Sequence, residues 1–182
     1  MSVKITYFVH GTTVDNEANI SSGWQDAELS ALGVKQSEEL AEQTKDLVFD
    51  AIFCSDLKRA VDSAHLTWGE AGIPIIADPR LRECNYGQLN GHPSSDVEPR
   101  QEQSITTPMP GGESYEDVKA RVTSFLSDLK RDYDGKHIAI VAHKAPQLAL
   151  DVLLKGETWE QAFANDWRKR GAWRAGWEYE VR

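Results

Sequence analysis

The stretch Lys4-Ile-Thr-Tyr-Phe-Val9, closed by His10-Gly11-Thr12-Thr13, decides how the chain is read. A short β-branched and aromatic run that stops at a polar, glycine-containing segment is a buried strand entering a loop. His10 therefore stands at the carboxyl end of a strand. A second run of the same kind, His137-Ile-Ala-Ile-Val-Ala-His143, is apolar almost without interruption, as in a strand covered by helices on both faces. It too ends in a histidine.

Working outward, Ser30 reads as the N-cap of a helix running toward Leu47 in spite of Gly33, and Ala51 to Cys54 as a second strand. Residues 57–72 predict a helix ending at Gly72, and Ile73 to Pro79 a third strand. Ser114 and Asp117 form a capping-box pattern ahead of Val118, Val122, Phe125, Leu126 and Leu129, which recur at helical spacing. Thr158 with Gln161 predicts a short capped helix, and residues 176–182 alternate as a final edge strand. Strands alternating with helices predict an α/β layered fold, in which ligands sit outside the carboxyl ends of the strands. The polar, Pro- and Gly-containing residues 85–112 read as a lid within a single domain spanning residues 1–182.

A length of 182 residues and 40% hydrophobic content suit one buried core. A formal net charge of -9 argues against nucleic-acid or anionic-membrane partners, which call for clustered Lys and Arg, and means that an anionic ligand must meet a locally positive pocket. Cys54 and Cys84, the two cysteines, lack disulfide-scaffold or zinc-site spacing and read as packing residues. The first residues form neither a signal peptide nor a membrane span, so a cytoplasmic, reducing location is expected.

Arg59, at the start of a helix after the second strand, has the planar donor fork suited to phosphate, or is a solvated helix residue. Glu83, beside the lid, reads either as a proton donor or as a surface partner of Arg80 or Arg82.

The segments Val9-His-Gly-Thr-Thr-Val-Asp-Asn16, GWQDAELSALG (23–33), FCSDLKRAVDSA (53–64), LRECNYGQLNG (81–91), PGGESYEDVKARV (110–122) and IAIVAH (138–143) stand in the order of the motifs of the histidine phosphatase superfamily. The chain resembles that family, which includes the cofactor-dependent phosphoglycerate mutases and the bisphosphatase domain acting on fructose 2,6-bisphosphate. The resemblance implies a three-layer α/β fold with a mostly parallel central sheet flanked by helices. It implies that His10 is the nucleophile that becomes phosphorylated and that Glu83 protonates the leaving alcohol, then activates water. Arg59 and His143 match residues that bind the transferring phosphoryl oxygens, and Gly11, Asn16 and Ser22 match positions around the pocket. No metal or cofactor is implied, and the ring nitrogen of His10 that does not attack should donate to a backbone carbonyl.

Three positions depart from the family pattern. Val9 replaces the arginine before the nucleophile, Thr12 the usual acidic or glutamine residue, and Lys144 the glycine after the second histidine. Lys144 is expected to supply the cation missing at Val9, or to be an ordinary solvated lysine. Trp159, Trp167, Trp173 and Trp177 are expected to pack as a cluster, in preference to forming a platform on which a ligand stacks, and His65, His92 and His137 to be structural or solvated. The expected function is a metal-independent phosphatase acting on a small phosphorylated metabolite. The alternatives are a phosphoglycerate mutase-type transferase and a catalytically weak or silent protein that binds phosphorylated ligands.

Overall fold

The computed structural model describes residues 1–170 and 176–182. In chain order its elements are β1 (Val3–Val9), α1 (Val14–Glu17), β2 (Ile20–Ser21), α2 (Ala31–Thr44), β3 (Ala51–Cys54), α3 (Lys58–Trp68), β4 (Ile75–Ala77), β5 (His92–Pro93), α4 (Ser94–Val97), α5 (Tyr115–Asp132), β6 (His137–Ala142), α6 (Lys144–Lys155), α7 (Trp159–Ala164) and β7 (Trp177–Val181). The main sheet has the order β4-β3-β6-β1-β7, with β7 antiparallel at the edge and the other neighbours parallel.

Successive strand residues point to opposite faces, so β1 feeds two cores. Val3, Ile5 and Tyr7 join Ile138 and Ile140 against Val118, Val122 and Phe125 of α5 and Leu148 of α6. Phe8 joins Ile52, Ala139 and Val141 against Leu40 of α2 and Ala64 and Trp68 of α3. These three layers are the expected ones.

Side-by-side pairing of β1 and β6 is what builds the site. Val9 pairs with Ala142, and the His10 N–H donates to the Ala142 carbonyl at 3.1 Å, so both histidines leave the sheet together. Gly33 is explained by the same region: a Cβ there would stand 2.0 Å from the Thr12 carbonyl, and one on Gly11 2.4 Å from the Gly33 carbonyl. Only glycines let α2 approach the loop after His10 this closely.

Some boundaries differ from expectation. Helix α3 stops at Trp68 because Gly69 closes the last turn onto the His65 carbonyl, while Gly72, at φ +70°, makes the turn beyond. Helix α6 was not foreseen: its proline, Pro146, sits in the first turn, where no intrahelical donor is lost, and Gly156 ends it with φ 72°. Residues 85–112 hold β5, paired with β2, helix α4 and short 3-10 turns, with Val97 and Met109 buried.

The capping boxes at Ser114–Asp117 and Thr158–Gln161 form as expected. Cys54 and Cys84 are buried free thiols. Trp159 packs on Tyr115 and Phe163, and Trp167 meets Trp177 with ring centroids 6.0 Å apart, whereas Trp173 lies outside the described residues. His65 and His92 are exposed and His137 is partly buried against Phe49. Among the described residues no helix is long and apolar enough to cross a membrane.

Candidate active site

At the carboxyl ends of β1 and β6 a cavity of about 340 Å³ opens, and its wall includes His10, Asn16, Ser22, Arg59, Glu83 and Lys144. Gly11 and His143 are not on that wall. The Gly11 N–H is taken by Ser63 Oγ at 2.9 Å, which leaves this glycine a packing role. His143 is fully buried beside His10, its ring centroid 5.0 Å away, and among the described residues neither of its ring nitrogens has a hydrogen-bond partner.

His10 Nδ1 lies 2.7 Å from the Gly11 carbonyl oxygen. A carbonyl only accepts, so Nδ1 carries the proton and Nε2 keeps its lone pair. Burial, the Arg59 guanidinium nearby and the resulting cost of a second positive charge pull the His10 pKa down from 6.5 to about 3. The imidazole is neutral at pH 7 and available as a nucleophile. His143 is lowered well below 6.5 by burial first and then by Arg59 and His10.

Arg59 is 3% exposed, which removes the solvated-helix alternative. Its two terminal nitrogens donate to the carbonyls of Gln25 at 2.9 Å and Gly23 at 2.7 Å, so it clamps the loop after β2, and among the described residues it forms no ion pair with a carboxylate. Asn16 Oδ1 caps the Thr13 N–H at 3.0 Å in a capping box at the start of α1. Ser22 Oγ donates to Asp15 at 2.7 Å.

Glu83 is 9% exposed and pairs with neither arginine: Arg80 binds Asp78 and Asp128, and Arg82 binds Asp56. One carboxyl oxygen, Oε1, instead accepts the backbone N–H groups of Cys84 at 2.8 Å and Ala145 at 3.0 Å, the second from the first turn of α6. The Glu83 main chain is held as well, its carbonyl accepting from Trp24 Nε1 at 2.7 Å and Arg121 at 2.9 Å. Arg82 stacks over Trp24 at 4.6 Å. This leaves the proton-transfer role open to Glu83 and closes the salt-bridge one.

Val9 presents an apolar side chain to the cavity while packing against the core, where a guanidinium is expected from the family pattern. Lys144 is 5% exposed, so it is no solvated lysine. Trp167, expected to pack, does meet Trp177 and also lines the cavity. Other contributors carried no warning in the sequence: Arg168 completes the wall from a segment far along the chain, Trp24 and Arg121 hold Glu83, and Tyr7 serves His143. The Tyr7 hydroxyl donates to the His143 carbonyl at 2.6 Å and accepts its N–H at 3.0 Å. A tyrosine inside an apolar strand run reads as core; its buried hydroxyl, which must find a partner, was the one available clue.

A neutral histidine with a fixed tautomer, a buried guanidinium and a carboxyl group on one cavity define a phosphoryl-transfer type of site. The model of the histidine phosphatase superfamily (branch 1) matches residues 7–175, and the chain belongs to that family. It is similar to a 2,3-bisphosphoglycerate-dependent phosphoglycerate mutase of Methylobacterium sp. (strain 4-46), 33% identical over 166 residues, which cover 83% of this chain and 80% of the relative. Among solved structures, a mycobacterial glucosyl-3-phosphoglycerate phosphatase is 28% identical, with a TM-score of 0.77 and coverage of 89% of this chain and 86% of the other. The α-ribazole phosphatase of Shigella flexneri is 25% identical, with a TM-score of 0.78 and coverage of 90% and 84%.

Proposed function

We propose that the chain is a phosphatase that hydrolyses a small phosphorylated metabolite through a phosphohistidine on His10. The observation that carries this reading is the hydrogen bond from His10 Nδ1 to the Gly11 carbonyl, which commits Nε2 to nucleophilic attack on the cavity side of a buried, neutral ring. In the first step Nε2 forms a bond to phosphorus as the phosphorus–oxygen bond to the alcohol breaks. Glu83 passes a proton to the departing oxygen. In the second step Glu83 takes a proton from water, the water oxygen bonds to phosphorus, and the phosphorus–nitrogen bond breaks. Arg59, with His143 beside the nucleophile, supplies stabilisation for the phosphoryl oxygens, and the scheme needs no metal.

Phosphate release from a panel of phosphomonoesters tests the reading. The identity with phosphoglycerate mutases favours a second one, phosphoryl transfer to another hydroxyl, and product analysis separates the two. Inorganic phosphate as the main product supports the phosphatase; a second phosphorylated alcohol supports the transferase. Failure of every monoester to react would leave a phospho-ligand-binding protein.

A further inference from the structure

The peptide that follows Glu83 is held by two separate elements. The Glu83 carbonyl accepts the indole N–H of Trp24, from the loop after β2, at 2.7 Å and a terminal nitrogen of Arg121, from α5, at 2.9 Å. Arg121 is itself fixed, since it donates to the Arg80 carbonyl at 2.7 Å and pairs through Nε with Glu113 at 2.9 Å, both side chains being mostly buried. Glu113 turns back on the same loop, its Oε2 accepting the Asn85 N–H at 2.8 Å. Main-chain groups of residues 80, 83 and 85 are thereby tied to α5. Trp24, Arg121 and Glu113 all stand outside the cavity wall.

Trp24 adds a second connection. Arg59 donates to the carbonyls of Gly23 and Gln25, the residues on either side of Trp24, at 2.7 and 2.9 Å. The Trp24 backbone N–H donates to Asn90 Oδ1 at 3.2 Å, and Arg82, bound by Asp56 through two contacts of 2.7 Å, covers its ring. One side chain therefore joins the loop that Arg59 clamps to the peptide that carries Glu83. On the carboxyl group, Oε1 accepts the N–H groups of both Cys84 and Ala145, whereas Oε2 has no partner among the described residues. An oxygen that accepts two N–H groups has its lone pairs taken, so the transferable proton belongs on Oε2. A turn of the peptide after Glu83 would draw Oε1 off Ala145 and swing Oε2 with it.

We infer that Trp24 and Arg121 are positioning residues of the proton transfer: by holding one carbonyl from two elements they keep Oε1 on the first turn of α6 and Oε2 toward the leaving oxygen. Trp24 also fixes that placement relative to the loop clamped by Arg59. The inference rests on the phosphatase reading for the role of Glu83.

Trp24→Phe keeps a ring for Arg82 and loses the N–H, while Arg121→Lys keeps the charge opposite Glu113 and loses the donor fork. The test compares kcat/KM, which reports phosphorylation of His10, for 4-nitrophenyl, phenyl and ethyl phosphate. Each variant should lose about tenfold or more with ethyl phosphate and less than about threefold with 4-nitrophenyl phosphate, because only the poor leaving group needs a well-placed acid. In a Glu83→Gln background either substitution should cost ethyl phosphate less than about twofold more, since no proton remains to be placed. The Ala145 amide resonance, followed by proton NMR in the resting protein, should move upfield in both variants, although neither side chain hydrogen-bonds to Ala145. Equal losses for the three esters, no loss, or an unmoved Ala145 resonance overturns the inference and leaves a staple of the fold. A Trp24→Phe chain that fails to fold does the same; if only Arg121→Lys fails to fold, Trp24→Phe decides. The acid assignment fails separately, if Glu83→Gln slows all three esters alike or if no ester reacts, and the Ala145 resonance then still shows whether Trp24 and Arg121 hold the carboxyl group.

Discussion

The imidazole rings of His10 and His143 stand 5.0 Å apart, centroid to centroid, and are inclined by 59°. Parallel pairing of β1 with β6 sets this separation, because Val9 and Ala142, the residues before them, are directly opposed. Burial, and after it the charge of Arg59 acting on both rings, disfavours protonation, and both imidazoles stay neutral at pH 7. One then attacks while the other keeps its uncommitted ring nitrogens beside it.

His10 is expected to carry the covalent phosphate. Rapid quench followed by mass spectrometry should locate acid-labile phosphate on His10, and His10→Ala should abolish turnover. Phosphate on His143, or on no residue, would refute the assignment.

Glu83→Gln keeps the acceptor for the Cys84 and Ala145 N–H groups and loses the proton. Alkyl phosphates should slow by about 10²- to 10⁴-fold and activated aryl phosphates far less, because a good leaving group needs little protonation. Equal losses across leaving groups would reduce Glu83 to a structural part.

Val9→Arg should return a charge-assisted donor to the cavity wall, worth about 1.5 to 3 kcal/mol to a phosphoryl group. A rise in kcat/KM of about tenfold or more is expected. An unchanged kcat/KM would show that Arg59 and His143 already suffice.

Acid should weaken the fold through the same histidines. The unfolded chain protonates His10 near 6.5 and the folded chain only near 3, so between these values the unfolded state binds the extra proton. The contribution is present in full above pH 6.5 and is lost as pH falls toward 3; His143 acts in the same direction. The urea midpoint should fall between pH 7 and pH 5, and His10→Asn should flatten that fall. Parallel declines in the two proteins would contradict the burial argument.

Tyr7→Phe removes one hydroxyl that serves both the N–H and the carbonyl of His143. Two buried backbone groups lose a partner, at about 1 to 3 kcal/mol for each group left unsatisfied. Chemical denaturation should register the loss, and kcat should fall more than KM rises, because His143 is displaced in its setting around the reacting phosphoryl group. A variant as stable and as active as the parent would mean that water replaces the hydroxyl.

Much of the layered fold was readable because its signals are local. An unbroken apolar run such as Ile138 to Ala142 allows few conformations other than a covered strand, and Ser30 or Ser114 caps a helix with atoms three residues away. Helix α6 escaped because its start follows a strand-ending histidine and Pro146 lies in its first turn, where proline marks an entry as readily as a break. The edge of α3 was misplaced because two glycines, Gly69 and Gly72, compete to end it, and which one does depends on a hydrogen bond to His65.

By itself the sequence determined which histidines end strands, where Arg59 and Glu83 fall relative to them, and, through its ordered motifs, the family. The tertiary structure decided the partnerships. Arg82 chose Asp56 over Glu83, Ser63 took the amide of Gly11, and Lys144, readable as a surface lysine, became a buried cation facing the same cavity as His10. Periodicity and capping act over a few residues, whereas a side chain's partner is set by which distant segments the packed sheet brings together, and that competition among many charged groups has no signature in local order.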